Sequence, residues 1–266
     1  MSVFFRIIVP NYNNAEWLEK CIGSIKSQIF TDYEAIFVDD RSTDNSVEVA
    51  KNLANGCHNI HVVELPNKRY NGGSRNVGLD YYKDARYTLF LDSDDWFMDN
   101  SVLQLLHDFI EDKGCPDCIR LPYRFEYDGN KAGQVPLCDD TPEKLAKSIF
   151  VACWTKCIKS ELIQPFPENT LMEDVVQHIK QCDVLSDSVP FDRIVVVHNR
   201  NNLNSCTRKE NQDLQRGKWQ SSMYRYMADL LDMELTHDYC EKVRKSRVDG
   251  CLNNIKKGVY SQSGIK

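Results

Sequence analysis

Hydrophobic positions follow two rhythms along the first half of the chain. Short apolar runs, FFRIIVP at 4–10, YEAIFVDD at 33–40, NIHVVEL at 59–65 and YTLFLDSDD at 87–95, read as strands. Between and after them, apolar residues recur at helical spacing: Trp17, Leu18, Cys21, Ile22 and Ile25, then Val47, Ala50, Leu53 and Ala54, then Val102, Leu105, Leu106, Phe109 and Ile110. Strands alternating with helices predict an α/β fold with a mostly parallel sheet flanked by helices. Ser42, Thr43 and Asp44 supply N-cap candidates for the second helix, and Ser74 precedes a short helical stretch holding Arg75, Asn76 and Tyr81.

Beyond residue 115 the order changes. Strands near IRLPYRFEY and RIVVVH flank a polar loop, DGNKAGQ, and helices around 142–150 and 173–185. From about residue 208 the chain reads as helix, with WQSSMYRYMADLLDM apolar on one face, followed by a basic stretch from Lys242 to Lys257. The expected organisation is one domain over 1–207, in halves meeting near 115, and a helical C-terminal extension over 208–266.

A formal charge of -6 argues against wholesale coating of a polyanion, which needs many Lys and Arg facing phosphates. The N-terminal apolar run is too short for a signal peptide and breaks at Pro10. No later stretch approaches the roughly 20 apolar residues of a membrane span, so the expectation is a cytoplasmic protein, with peripheral attachment at the inner membrane face left open. The 11 cysteines are scattered and several lie inside apolar segments, as free core thiols do. Cys115 and Cys118 form half of a zinc pattern without a second half.

Ligands of open parallel sheets bind beyond the carboxyl ends of the strands, and those ends are acidic here. The second strand stops at Asp39-Asp40 and the fourth at Asp92-Ser93-Asp94-Asp95. A divalent cation, Mg²⁺ or Mn²⁺, would relieve the repulsion, held by one or two carboxylates plus substrate phosphates. In an extended chain the side chains of Asp92 and Asp94 share a side, because strand side chains alternate with a period of two; a capped turn is the other reading. The segment from Lys68 to Asn76 combines glycines that let backbone approach phosphate with the charges of Lys68 and Arg75.

Five ordered motifs, IIVPNYNN, FVDDRSTDNS, NGGSRNVGL, LFLDSDDW and MEDVVQH, resemble those of the family 2 glycosyltransferases of the GT-A fold, over residues 3 to 206. The resemblance implies a nucleotide-diphospho-sugar donor, a divalent metal and inverting transfer to a hydroxyl-bearing acceptor. It makes the half up to 115 the nucleotide-sugar side and 116–207 the acceptor side. Pro10, Tyr12 and Asn13 match the motif bordering the nucleoside, and Asp39 the aspartate that contacts the base, usually uracil, with Asp40 beside it. Arg75 and Asn76 match a pair near the donor, Asp92 (with Ser93) the residue towards the ribose, and Asp94 the metal ligand. Glu173-Asp174 matches the acidic pair whose aspartate is the catalytic base; Glu173 competes for that role, adjacent helix residues pointing about 100° apart.

Trp154 and Lys156 resemble a segment lining the acceptor side, where Trp154 could stack on a sugar or be core. His198, Arg200 and Ser205 match a region in which His198 departs from the usual tyrosine; it could ligate metal or phosphate, or be structural. His178, four residues after Asp174, has a spacing that can hold metal. Processive members carry a QxxRW element and membrane spans, and neither occurs here, so single-sugar addition is expected.

The acceptor implied is a saccharide or glycolipid in surface polysaccharide or glycoconjugate synthesis, with nucleic acid or protein as alternatives. Other readings are a sugar nucleotidyltransferase, which calls for a glycine-rich basic loop after the first strand, and a non-catalytic nucleotide-sugar-binding module, in which carboxylates tend to be lost. A dinucleotide oxidoreductase needs G-x-G-x-x-G where Pro-Asn-Tyr-Asn-Asn stands. Met223, Tyr226, Met227, Leu230 and Leu231 offer an apolar face for a homodimer through the C-terminal helices.

Overall fold

The computed structural model describes residues 2–82, 84–127, 130–134, 141–147, 152–168, 170, 172–203, 205 and 225–256. The four apolar runs form β1 (Val3–Asn11), β2 (Tyr33–Asp39), β3 (Ile60–Glu64) and β4 (Ala85–Phe90), interleaved with α1 (Leu18–Lys26), α2 (Ser46–Ala54) and α3 (Tyr70–Tyr81) and followed by α4 (Val102–Asp112). β1 pairs in parallel with β2 and β4, and β2 with β3. The chain therefore winds outward from β1 to β3, then returns to the other side of β1. That reversal makes the carboxyl ends of β1 and β4 the switch point where such sheets bind ligands.

The remaining strands are β5 (Trp96–Phe97), β6 (Cys118–Arg120), β7 (Tyr123–Tyr127), β8 (Asn130–Gln134), β9 (Lys156–Lys159), β10 (Val189–Pro190) and β11 (Val196–Asn199). They extend the main sheet to the order β10-β6-β9-β4-β1-β2-β3 and build a second sheet, β5-β11-β7-β8. β9 runs antiparallel between β4 and β6. The DGNKAGQ segment, expected as a loop, contributes β8, whose antiparallel ladder to β7 needs no apolar period to form.

Side-chain alternation sorts the two faces of the main sheet. Ile36 and Val38 of β2 pack with Val77 of α3 on one face, whereas Ala35 and Phe37 join α1, α2 and α4 in the larger core on the other. Pro10 is tolerated inside β1 because Ile8 O accepts from Leu91 and Asn11 O from Asp40; by alternation its missing N–H lies on the β4 side, beyond β4's last residue.

α3 starts at Tyr70, so the glycine-rich segment is largely helix instead of a phosphate loop. Its glycines serve close packing: a Cβ on Gly72 would sit 2.2 Å from Pro167 O, and one on Gly78 would sit 2.6 Å from Ile8 Cγ2. Both helix ends are tied down. Asp40 accepts from the backbone N–H groups of Arg69 (2.6 Å) and Tyr70 (2.9 Å), and Arg6 donates to Leu79 O (2.9 Å) and Tyr82 O (2.6 Å), satisfying groups that helix termini leave open. At α2 the N-cap is Asn45; of the expected cap cluster only Asp44 serves, accepting from Ser46 N–H at 3.0 Å.

α5 (Pro142–Lys147), α6 (Glu173–Val184), a helix over 225–231 (α7) and α8 (Asp238–Lys256) enclose a second core of Leu145, Val175, Val176, Ile179, Leu230 and Cys240. The tail's apolar face is thus largely covered by its own chain: Tyr226 and Leu230 are buried, Leu231 is exposed, and Met223 lies outside the described residues.

At the far end of α6, Asp183 accepts from Thr236 N (2.7 Å), Thr236 Oγ1 (2.9 Å) and His237 N (2.8 Å), the approach to α8. Burial alone would raise the Asp183 carboxyl, yet these donors hold it below its ordinary pKa. Stability from a lowered carboxyl is present above the unfolded pKa and lost as pH falls through the folded one. Asp183→Ala should therefore cost about 1–3 kcal/mol in denaturant titrations at pH 7. The gap should narrow in acid; a constant gap would remove the ionised cap from the account.

Candidate active site

The carboxyl ends of β1 and β2 form a hydrogen-bonded shelf. Asp39 Oδ1 accepts from Asn11 Nδ2 (2.8 Å) and Ser42 Oγ (2.5 Å), and its Oδ2 accepts from Ser42 N (2.9 Å). Asn13, at φ 54°, accepts from Thr43 N at 2.7 Å through Oδ1. Tyr12 is exposed, with Lys68 Nζ 2.9 Å from its ring centroid, a cation on an aromatic face. Asp40, expected beside the donor, points away to cap α3.

Asp92 and Asp94 lie past the end of β4 in a turn closed by Asp95 N to Asp92 O at 2.9 Å, so the extended-strand alternation gives way to the turn reading. The loop after β11 is fastened to this turn. Asp95, wholly buried, accepts from His198 Nδ1 (3.0 Å) and Asn199 N (2.8 Å). Asn202 Nδ2 donates to Asp94 Oδ2 (2.7 Å) and Asn14 Oδ1 (2.9 Å), and Asn14 Nδ2 donates to the buried Ser93 Oγ (2.8 Å). Burial first, then the charges of Asp95 and Asp92, push the Asp94 carboxyl up to about 7. His198, stacked on Trp154, is raised: burial disfavours its protonated form, but the hydrogen bond and charge of Asp95 outweigh that. With Nδ1 on Asp95, its Nε2 is the nitrogen that remains for a ligand.

Arg75 is 1% exposed and reaches three carboxylates. Its Nη2 donates to Asp92 Oδ1 (2.9 Å), and its Nη1 to Glu173 Oε1 (2.9 Å) and Asp174 Oδ1 (3.2 Å). Expected as a charge for the donor, it is instead enclosed by acids. Asn76, expected near the donor, clips backbone: it donates to Phe166 O and accepts from Phe166 N, both at 2.9 Å. Glu173 and Asp174 open α6, where the helix N-terminus favours negative charge. The Glu173 side chain is 8% exposed and that of Asp174 25%, which separates an enclosed acid from one that can meet an acceptor. Burial chiefly raises both carboxyls, Glu173 to about 7; Arg75 opposes the rise in each.

The acceptor-side expectations divide. Trp154 is 7% exposed, set edge-on to Tyr123 and stacked on His198, so it is core and not a sugar platform. Lys156 is buried and donates to Ala152 O at 2.9 Å, away from solvent. Arg200 is exposed, its guanidinium 4.7 Å from the Phe125 ring centroid. His178 lies in the second core with Nε2 2.9 Å from Leu145 O, and burial holds its pKa well below the usual value.

Among the described residues, no three His, Cys, Asp or Glu side chains cluster as a ready-made metal site. A cation completed by substrate phosphates needs only one or two carboxylates. Asp94, raised by burial and then by the neighbouring Asp95 and Asp92, whose charge a cation would offset, fits that kind of site. Sequence alone assigns Asn14 and Asn202 no role, and Asp95 only a place in the acidic strand end. Asp95 adjoins the D-x-D motif, which is its signal, whereas Asn202 lies 108 residues from its partner Asp94.

The family model described as Glycosyl transferase family 2 matches residues 6–158. The chain is 31% identical to Glycosyltransferase GlyG of Streptococcus pneumoniae over 178 residues, 61% of this chain and 58% of that protein. It is 34% identical to the poly(ribitol-phosphate) beta-glucosyltransferase of Bacillus spizizenii over 101 residues, 37% of this chain and 16% of that one. The matches thus span under two thirds of these relatives' lengths. Among solved structures, S. aureus TarS 1–349 in complex with UDP-GlcNAc superposes with a TM-score of 0.71 at 21% identity, covering 98% of this chain and 74% of TarS 1–349. Mannosyltransferase PcManGT from Pyrobaculum calidifontis, in complex with GDP-Man and Mn²⁺, gives 0.62 at 14% identity, covering 99% and 77%.

Proposed function

The chain belongs to glycosyl transferase family 2 and has the GT-A fold, and we propose that it moves a sugar, with inversion, from a UDP-sugar to an acceptor hydroxyl. The observation that supports this best is the bridge by which Arg75 joins the strand-end Asp92, in the same turn as Asp94, to the partly exposed Asp174. Asp39, oriented by Asn11 and Ser42, faces the base; Tyr12 and Lys68 border the nucleoside, and Asp92 the ribose.

The acceptor oxygen attacks the anomeric carbon from the face opposite the leaving group. The carbon–oxygen bond to the diphosphate breaks with its electron pair, and the hydroxyl proton passes to an Asp174 oxygen. Glu173, enclosed by Arg75, is out of reach of that proton. A divalent cation on Asp94, completed by donor phosphates, would offset the charge of the departing diphosphate.

For the acceptor we favour a saccharide or glycolipid hydroxyl in surface polysaccharide or glycoconjugate synthesis. The similarity to a poly(ribitol-phosphate) beta-glucosyltransferase supports this. No helix among the described residues is long and apolar enough to cross a membrane.

Calorimetric titration of UDP-, GDP- and TDP-sugars with and without Mn²⁺ tests the donor assignment. One UDP-sugar should bind, and more tightly with Mn²⁺. Silence from every donor under both conditions would bring the non-catalytic module forward.

A further inference from the structure

We infer that Arg75 is the positioning residue of the transfer, its one buried guanidinium holding the donor-side Asp92 and the base Asp174 in a fixed relation, with Glu173 as third anchor. The inference rests on the reading of Asp174 as base.

Arg75 faces three carboxylates, so the charge around it is already more than answered. An incoming phosphate would meet net negative charge and have to displace an acid. Both N–H groups of Nη1 are engaged, one of Nη2 is, and Nε is buried without a hydrogen-bond partner. The plane of the fork is what matters. It lies 5.2 Å from the Phe166 ring centroid and reaches Asp92 with one arm and α6 with the other. A lysine has charge without that plane.

The platform beneath is rigid. Asp40 and Arg6 fasten the two ends of α3, and Gly72 lets the helix come so near α6 that a Cβ there would lie 3.2 Å from Glu173 Cβ. Asp92 follows β4 and Asp174 opens α6, so the two acids belong to elements far apart in the chain. Arg75 joins them. The groups facing Asp174 are Arg75, Glu173, Asp92, Lys156 and the Cys153 thiol. Arg75 and Lys156 favour its ionised form, and the others oppose it or donate to it.

The test uses the full chain, UDP with Mn²⁺ as binding probe, and UDP release from UDP-glucose or UDP-GlcNAc with water as acceptor. Arg75→Lys should keep the UDP Kd within about threefold, because phosphate contact is not Arg75's task. It should lower kcat by about 10²-fold, the scale of a 1 Å misplacement, and move the acid limb of the kcat profile to higher pH. Glu173→Gln, close to isosteric, should move that limb to lower pH, removing a negative neighbour and freeing Nη1 for Asp174. A UDP Kd weakened 100-fold with kcat kept would make Arg75 a donor ligand and overturn the inference, as would two unmoved acid limbs. If Arg75→Lys does not fold, the limb in Glu173→Gln decides alone. Turnover kept in Asp174→Asn would remove the base assignment itself, a separate result.

Discussion

Asp174→Asn lowers kcat by about 10²–10⁴-fold, the range a general base supplies, while UDP and Mn²⁺ bind as before. The expectation follows from where the carboxylate sits. At the opening of α6, with its side chain 25% exposed, the carboxylate accepts from Arg75 Nη1 at 3.2 Å and from the Cys153 thiol, and its two oxygens have further lone pairs for an incoming hydroxyl. Asparagine has nearly the same shape, so the helix and the second core survive. What is lost is the proton acceptor. Burial raises the Asp174 carboxyl, which makes it a better base once ionised and places the acid limb of activity above the ordinary carboxylate range. Steady-state kinetics with the best donor is the measurement; kcat within a few-fold of wild type would move the base elsewhere.

The second large effect is at Asp94. Asp94→Asn should abolish most of the gain in donor affinity that Mn²⁺ brings, on the order of 100-fold by calorimetry, since first-sphere loss should at least equal the 10- to 100-fold of second-shell changes. The same substitution has an opposite effect on the metal-free protein. Burial and the neighbouring acids raise the Asp94 carboxyl to about 7. A raised carboxyl costs stability as pH climbs from its unfolded value through the folded one. The variant should therefore gain on wild type between about pH 4 and 7 and hold the gain above, read as melting temperature in chelator. A gap that ignores pH would mean that neither burial nor the neighbouring charges raise the Asp94 carboxyl. Asn202, on Asp94 Oδ2 at 2.7 Å, can keep donating to the asparagine oxygen, so the β11 loop should stay in place.

Much of this arrangement was legible before the structure. β1 to β4 and the first two helices carry strong periods, and acids at strand ends are local facts of sequence. The backbone from Asp92 to Asp95 was less so, because a turn and a strand end share the same residues and only the Asp95 N to Asp92 O bond separates them. The motif points Arg75 to the donor; its three acids come from residue 92 and from 173–174, and that distance hides the pairing. Trp154 illustrates a different limit. Its sequence neighbourhood suits a sugar platform and a core equally, and Tyr123 and His198, from the second sheet, settle it. The nucleotide-side identities were readable from local pattern, the acceptor-side ones depended on which face tertiary packing covers.

α6 has a second life beyond its first two residues. Val175, Val176, Ile179 and Cys182 pack with Tyr226, Leu230 and Cys240 of the C-terminal segment, and Asp183 fastens that segment at the other end. A cloning boundary at residue 207, where the motif match runs out, would cut through this shared interior and lay bare the flank of the helix that carries Asp174. Shortened proteins ending there would be sticky and prone to precipitate. Random mutagenesis would also find inactivating changes in α7 and α8, far from any sugar, whose damage arrives at the reaction centre as misalignment of one helix.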